Sequence, residues 1–235
     1  VHILGVVKGR EKSEIIAFLR GIPRRLRKTV QAACCDLYKG YINACKEVFK
    51  NKVPVVADRF HVQKLYRKSL IVLRKSELKR LRKDLTEKEY VKIKTAIAML
   101  RMHKDYFTEG EKPIVEELFK LSPKLKKAYK FSRKLSGILD SHITPETAKE
   151  KMAEWIELVQ ASELNCFNKF MATLTKYQEQ IANYFIQRNS SGFVEGFNNK
   201  VKVLKRRCYG LANVTKLFQR LILDTLGMNR FAPRV

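Results

Sequence analysis

The sequence has no apolar run of about 18 residues, so no transmembrane helix is expected. Cysteine is sparse, with five residues (Cys34, Cys35, Cys45, Cys166 and Cys208). Their number is odd, and there is no C-x-x-C pair or His-rich partner. Neither a zinc site nor a disulfide framework is therefore expected, and the preferred reading is reduced, buried thiols in a cytosolic protein. The four histidines are scattered, which argues against a histidine metal cluster. Acid is also short: 23 Asp and Glu stand against 49 Lys and Arg, a formal net charge of +26. Such an excess repels itself in the folded state and is usually matched by a polyanion. Nucleic acid is the first candidate and an anionic membrane surface the second. No secretory signal is visible at the start. The chain begins at Val1 in strand-like sequence, without Met, and reads as cut from something longer.

What is present is enough to fold. The 235 residues are 45% hydrophobic, which suits one large domain or one domain with a sizeable insertion. His2 to Val7 reads as a strand. Glu11 to Leu19 reads as a helix, with Ile15, Ile16 and Leu19 on one face and Gly21 and Pro23 as stops. Val30 to Cys35 is a short buried strand with Asp36 at its C-terminal end. Tyr38 to Phe49 is a second helix. Val53 to Ala57 is another buried strand, ended by Asp58. The alternation β-α-β-α-β predicts an α/β fold with parallel neighbours, and in such sheets functional side chains gather at the C-terminal strand ends.

Residues 63–188 read as helices throughout. Thr86 opens one, and Thr144-Pro145 opens another as N-cap and first helical residue. Ala148, Met152, Trp155, Ile156 and Val159 form an apolar packing stripe. Ser190-Ser191-Gly192 breaks the pattern and starts a helix that carries Glu195. On it Glu195, Asn199, Lys202 and Arg206 share a polar face, while Val194, Phe197, Val201 and Leu204 share a buried one. Gly210 ends it, and Val214 to Leu226 forms a last helix.

Three carboxylates carry the chemistry. Asp36 or Asp58 alone reads equally well as a cap or loop residue. Together, at equivalent ends of adjacent strands, they can stand a few ångströms apart, where a divalent cation relieves their repulsion. Mg2+ or Mn2+ suits carboxylate oxygen best. Glu195 reads either as a solvated helix residue or, given Phe193, Val194 and Phe197 beside it, as a buried acid that needs a cation. His61 is open to a plain backbone hydrogen bond. Arg59 is well placed for a phosphate. The run Lys200, Lys202, Lys205, Arg206 and Arg207 flanks the candidate site, so phosphate contact is preferred over a solvated face. Tyr209 reads as core packing, with base stacking as the alternative.

The segments Val55-Val56-Ala57-Asp58-Arg59-Phe60-His61-Val62, Gly192-Phe193-Val194-Glu195-Gly196-Phe197-Asn198-Asn199-Lys200-Val201-Lys202 and Lys205-Arg206-Arg207-Cys208-Tyr209-Gly210 resemble the ISL3-type insertion-sequence transposases, which are DDE enzymes. Gly5 to Arg10 and Asp36-Leu37-Tyr38 resemble them too. The resemblance implies an α/β, RNase H-like core, incomplete at its N-terminus and interrupted by a large all-helical insertion. Residues 1–62 would be the first part of the core, 63–188 the insertion and 189–235 the C-terminal helices. It also implies two Mg2+ ions held by an Asp-Asp-Glu triad. Asp36 would match the second-strand aspartate, Glu195 the terminal glutamate, and Asp58 with His61 a D-x-x-H motif; alternatively Asp58 is itself the second aspartate.

The family's first aspartate, in an Asp-Glu pair on the first strand, has no counterpart here, so the fragment alone is expected to be inactive. The implied reaction is metal-dependent DNA strand cleavage and strand transfer. Arg59, Asn198, Asn199, Lys200, Lys202, Lys205, Arg206 and Arg207 would contact DNA. The implied partners are transposon ends and target DNA, bound by a homodimer or higher assembly in the prokaryotic cytoplasm, at the nucleoid. The competing class is a non-catalytic DNA-binding remnant. A basic helical RNA-binding protein is disfavoured, because it gives no reason for carboxylates at strand ends.

Overall fold

The computed structural model describes residues 3–100 and 107–231, apart from the side chains of Glu195 and residues 226–231. Two compact units divide the chain: Val1–Asp58 with Asn189–Val235, and Arg59–Arg188.

The first unit opens with helix α1 (Lys12–Gly21), whose start is closed by a capping box between Glu11 and Glu14. A single helical turn, α2 (Arg24–Arg27), leads to strand β1 (Ala33–Cys35). Helix α3 (Lys39–Phe49) then crosses over to strand β2 (Val55–Ala57). The strands pair in parallel, with Ala33 opposite Val55, Cys34 opposite Val56 and Cys35 opposite Ala57. The ladder closes where the Asp58 amide donates to the Cys35 carbonyl at 3.0 Å. All three residues of β2 are buried, as are Ile42, Ala44 and Cys45 of α3. A parallel pair needs a crossover of this kind, and α3 supplies it.

The strand expected over residues 2–7 does not form among its described residues, 3–7. Its apolar side chains have another use. Ile3 and Val6 pack against a cluster of Leu204, Leu217 and Leu221, so the segment covers helices instead of extending the sheet. The described sheet is therefore two-stranded.

The second unit contains only helical elements among its described residues. They are α4 (Arg59–Asp84), α5 (Glu87–Met99), α6 (Glu111–Leu121), α7 (Pro123–Asp140), α8 (Pro145–Gln160), a 3-10 turn (Asn165–Phe167), α9 (Asn168–Lys176), α10 (Gln178–Ala182) and α11 (Tyr184–Gln187). Local sequence sets the starts. Thr86 and Glu89 form a capping box, and the Thr144 hydroxyl accepts from the Thr147 amide at 3.2 Å with Pro145 at the first helical position. The α8 stripe is buried as its spacing predicts, with Ala148, Met152, Trp155 and Val159 inside. Trp155 is wholly buried among Phe131, Phe167 and Phe170, and its indole N–H donates to the Phe131 carbonyl at 2.9 Å. That bond removes the cost of burying the indole nitrogen.

The chain returns to the first unit with α12 (Gly192–Arg207) and α13 (Val214–Phe231). Leu204 of α12 meets Leu217 and Leu221 of α13, with Phe197 and Val201 partly buried beside them. A bond of 2.7 Å from Lys200 to Asp224 ties the two helices together.

Candidate metal centre and basic helix

The parallel register brings two acids together. Cys35 pairs with Ala57, so the next residues, Asp36 and Asp58, fall side by side at the ends of strands about 4.8 Å apart. Asp58 is fully buried, whereas Asp36 is exposed. His61 follows Asp58 by three positions, one turn into α4, and so comes round to the same side. One ligand atom each from Asp36, Asp58 and His61 lies within 4.8 Å of the others. The scattered histidines argued only against a cluster of histidines, and a single one, His61, lies with the acids. The signal was the D-x-x-H spacing at a strand-to-helix junction.

A buried carboxylate needs donors. The hydroxyl of Ser191, the residue that precedes α12, donates a short hydrogen bond to Asp58 Oδ2. Two residues earlier, the Asn189 carbonyl lies 3.9 Å from Cys34 Sγ. The segment that leads into α12 is thus held against the ends of both strands, across 133 positions of sequence. Glu195 comes four positions after Ser191, one helical turn on. Its side chain lies outside the described residues.

The thiols register the local field. Burial first, then the charges of Asp58 and Asp36, push Cys34 up to about 11. Burial first, then Cys45, Cys34, Asp36 and Asp58, push Cys35 up to about 12. Both remain protonated at neutral pH, which suits carboxylate oxygen and imidazole, not thiolate, as cation donors.

The basic residues divide. Asn198, Asn199, Lys202, Lys205, Arg206 and Arg207 are exposed on α12. Lys205, Arg206 and Arg207 occupy its last turn, where the helix dipole favours cations. Lys200 is exposed but committed to Asp224, whose carboxyl it holds below the usual range, chiefly by its hydrogen bond. Arg59 is engaged within the helical unit: it donates to Asp140 and, at 3.3 Å, to the Tyr184 hydroxyl, and it lies over the Tyr184 ring.

Two expectations are corrected. Phe193 and Val194 are half exposed, so they give no support for a buried Glu195, and Val194 does not belong to the buried face. Tyr209 is not in the core. It is fully exposed, in a left-handed conformation (φ 51°) before Gly210, because the chain turns sharply out of α12 there.

A family model described as a transposase, of the ISL3 type of DDE transposases, matches residues 1–221. The chain belongs to the ISL3 transposase family. It is similar to the transposase for insertion sequence element IS1001 of Bordetella parapertussis, with 24% identity over 221 residues. That match covers 94% of this chain and 53% of the relative, so the chain spans about half the length of the curated relative it matches. No solved structure matches. Among the described residues, no helix is long and apolar enough to cross a membrane.

Proposed function

We propose that this ISL3-family chain carries the catalytic part of a DDE transposase, which cleaves DNA strands and transfers them for an insertion sequence. The pairing of Asp36 with Asp58 at the ends of parallel strands carries this reading, together with the Ser191 bond that holds the start of the Glu195 helix against Asp58. In this reading the first unit is an RNase H-like core, and Arg59–Arg188 is its helical insertion.

The donor set fits a divalent cation. The two carboxylates offer hard oxygen, which suits Mg2+ or Mn2+, and the His61 imidazole lies within 4.8 Å of them. Asp36, Asp58 and Glu195 would hold the cation, with His61 beside them. When bound there, the cation supplies Lewis-acid activation for in-line displacement at a DNA phosphodiester.

The chain's own residues do the rest. Ser191 fixes the Asp58 carboxylate at the end of β2, beside Asp36 and His61. Asn198 and Asn199 offer amide donors one turn beyond Glu195. Lys202, Lys205, Arg206 and Arg207 neutralise strand phosphates along one exposed helix, bringing DNA to the acids.

The test is strand cleavage by a protein of the relatives' full length, acting on a duplex that carries its own element's ends. Glu195→Gln and Asp58→Asn should each abolish Mg2+-dependent cleavage and leave DNA affinity within about threefold. Cleavage that survives Glu195→Gln refutes the assignment. A wild type that binds without cleaving selects the DNA-binding remnant.

A further inference from the structure

The helical unit holds a second basic site, remote in sequence from α12. A cavity of about 250 Å3 opens between α4 and α7. Arg67 and Arg74 enter it from α4, seven positions apart and so on one face. Ser132, Arg133 and Ser136 enter it from α7. Among the described residues no carboxylate lines it.

These are costly residues to place there. Arg74, Ser132 and Ser136 are all buried. Arg133 is half-buried and Arg67 lies at the exposed mouth. A guanidinium inside a helical bundle is no more stabilising than a well-packed apolar side chain, so packing alone does not account for Arg74 and Arg133 here. Arg133 also presents a buried Nε that has no hydrogen-bond partner, an arrangement that loses free energy unless a ligand or water accepts from it. Ser136 is held in place by a 2.6 Å bond to the buried Tyr66 hydroxyl. The lining thus offers fork-shaped donors and one fixed hydroxyl, the chemistry that recognises a tetrahedral oxyanion. The volume admits a phosphate group with part of what it is attached to, and is too small for a larger ligand.

We propose that this cavity binds a phosphate group, giving the helical unit a phosphate contact of its own. The group can be free phosphate or a backbone phosphodiester of DNA. The proposal does not rest on the catalytic reading, because no residue of the acidic cluster takes part.

The experiment titrates the 235-residue chain with inorganic phosphate by calorimetry, and with a short DNA duplex by fluorescence anisotropy over a range of salt. Arg67→Gln with Arg133→Gln is compared with Lys88→Gln plus Lys94→Gln, an exposed pair on α5 that removes the same charge. We expect the Arg67/Arg133 variant to lose about tenfold or more in phosphate affinity. If the source is DNA, duplex affinity falls with it and the logarithmic salt slope drops by about one beyond the control. If the source is free phosphate, duplex affinity follows the control. Should the double variant not fold, Arg67→Gln alone, at the exposed mouth, is read in the same way. Asp58→Asn should leave the phosphate signal intact even if catalysis fails. A wild type that binds neither ligand in a manner that depends on Arg67 and Arg133 overturns the proposal.

Discussion

Neutralising Asp58 should change the sign of its effect on stability when metal is added. The two carboxylates lie within 4.8 Å. At that separation like charges repel by about 3.5 kcal/mol at an effective dielectric of 20, and by about 0.9 kcal/mol in bulk water. Asp36 is exposed, so a value of about 1–2 kcal/mol is appropriate. Asp58→Asn removes this repulsion and retains an oxygen to accept from Ser191. Without divalent cation the variant should therefore melt at the wild-type temperature or a few degrees above it. With Mn2+ at about a hundred times its Kd, the wild type gains about 2.7 kcal/mol. For a chain of this size that is roughly 5–11 °C. The variant should gain less than about a third of that. Scanning calorimetry with and without Mn2+ reads both effects. An equal Mn2+ shift in the two proteins, or a metal-free variant several degrees less stable than wild type, would refute a shared cation site.

Two further outcomes test other parts of the molecule. Replacing Lys202, Lys205 and Arg206 with Ala should lower the logarithmic salt slope of duplex binding by about 2–3, at roughly 0.9 per phosphate contact, and an unchanged slope moves the DNA surface off α12. Glu77 is buried in the helical unit, which raises its carboxyl, but bonds from Arg80 and from Ser122 (at 2.6 Å) outweigh this and hold it below its ordinary value. Its contribution is present above the unfolded value and is lost as pH falls through the lower folded one. Glu77→Gln should therefore destabilise the protein near neutrality by about 1–3 kcal/mol, and should flatten the loss of stability below about pH 4 in thermal melts.

Much of the architecture was legible because it is local. The caps at Thr86 and Thr144, the α8 stripe and the two short apolar runs each follow from neighbours within a few positions, and each element formed close to where it was read. Parallel pairing followed from the β-α-β alternation, and with it the approach of Asp36 to Asp58. What failed depended on distant partners. Residues 3–7 have the apolar content of a strand, but Ile3 and Val6 are claimed by Leu204, Leu217 and Leu221 some two hundred positions away. Phe193, Val194 and Tyr209 are apolar by composition, yet no neighbouring element covers them fully. Arg59 looked free for phosphate, but Asp140 and Tyr184 hold it, a commitment no local pattern announces. The tie from Ser191 to Asp58 was equally invisible, although it gives the Glu195 helix its relation to the acids.

Iron-directed backbone scission tests the proposed metal site most directly. Fe2+ replaces Mg2+ or Mn2+ at carboxylate sites and, with ascorbate and peroxide, releases hydroxyl radicals that cut the chain close to the metal. Fragments mapped by mass spectrometry should end near Asp36, near Asp58 to His61 and in the first turn of α12 around Glu195. All three cuts should vanish in Asp58→Asn and under excess Mg2+. Cuts near Asp36 and Asp58 with none between Asn189 and Asn199, or cuts that Asp58→Asn leaves unchanged, would contradict a site built from Asp36, Asp58 and Glu195.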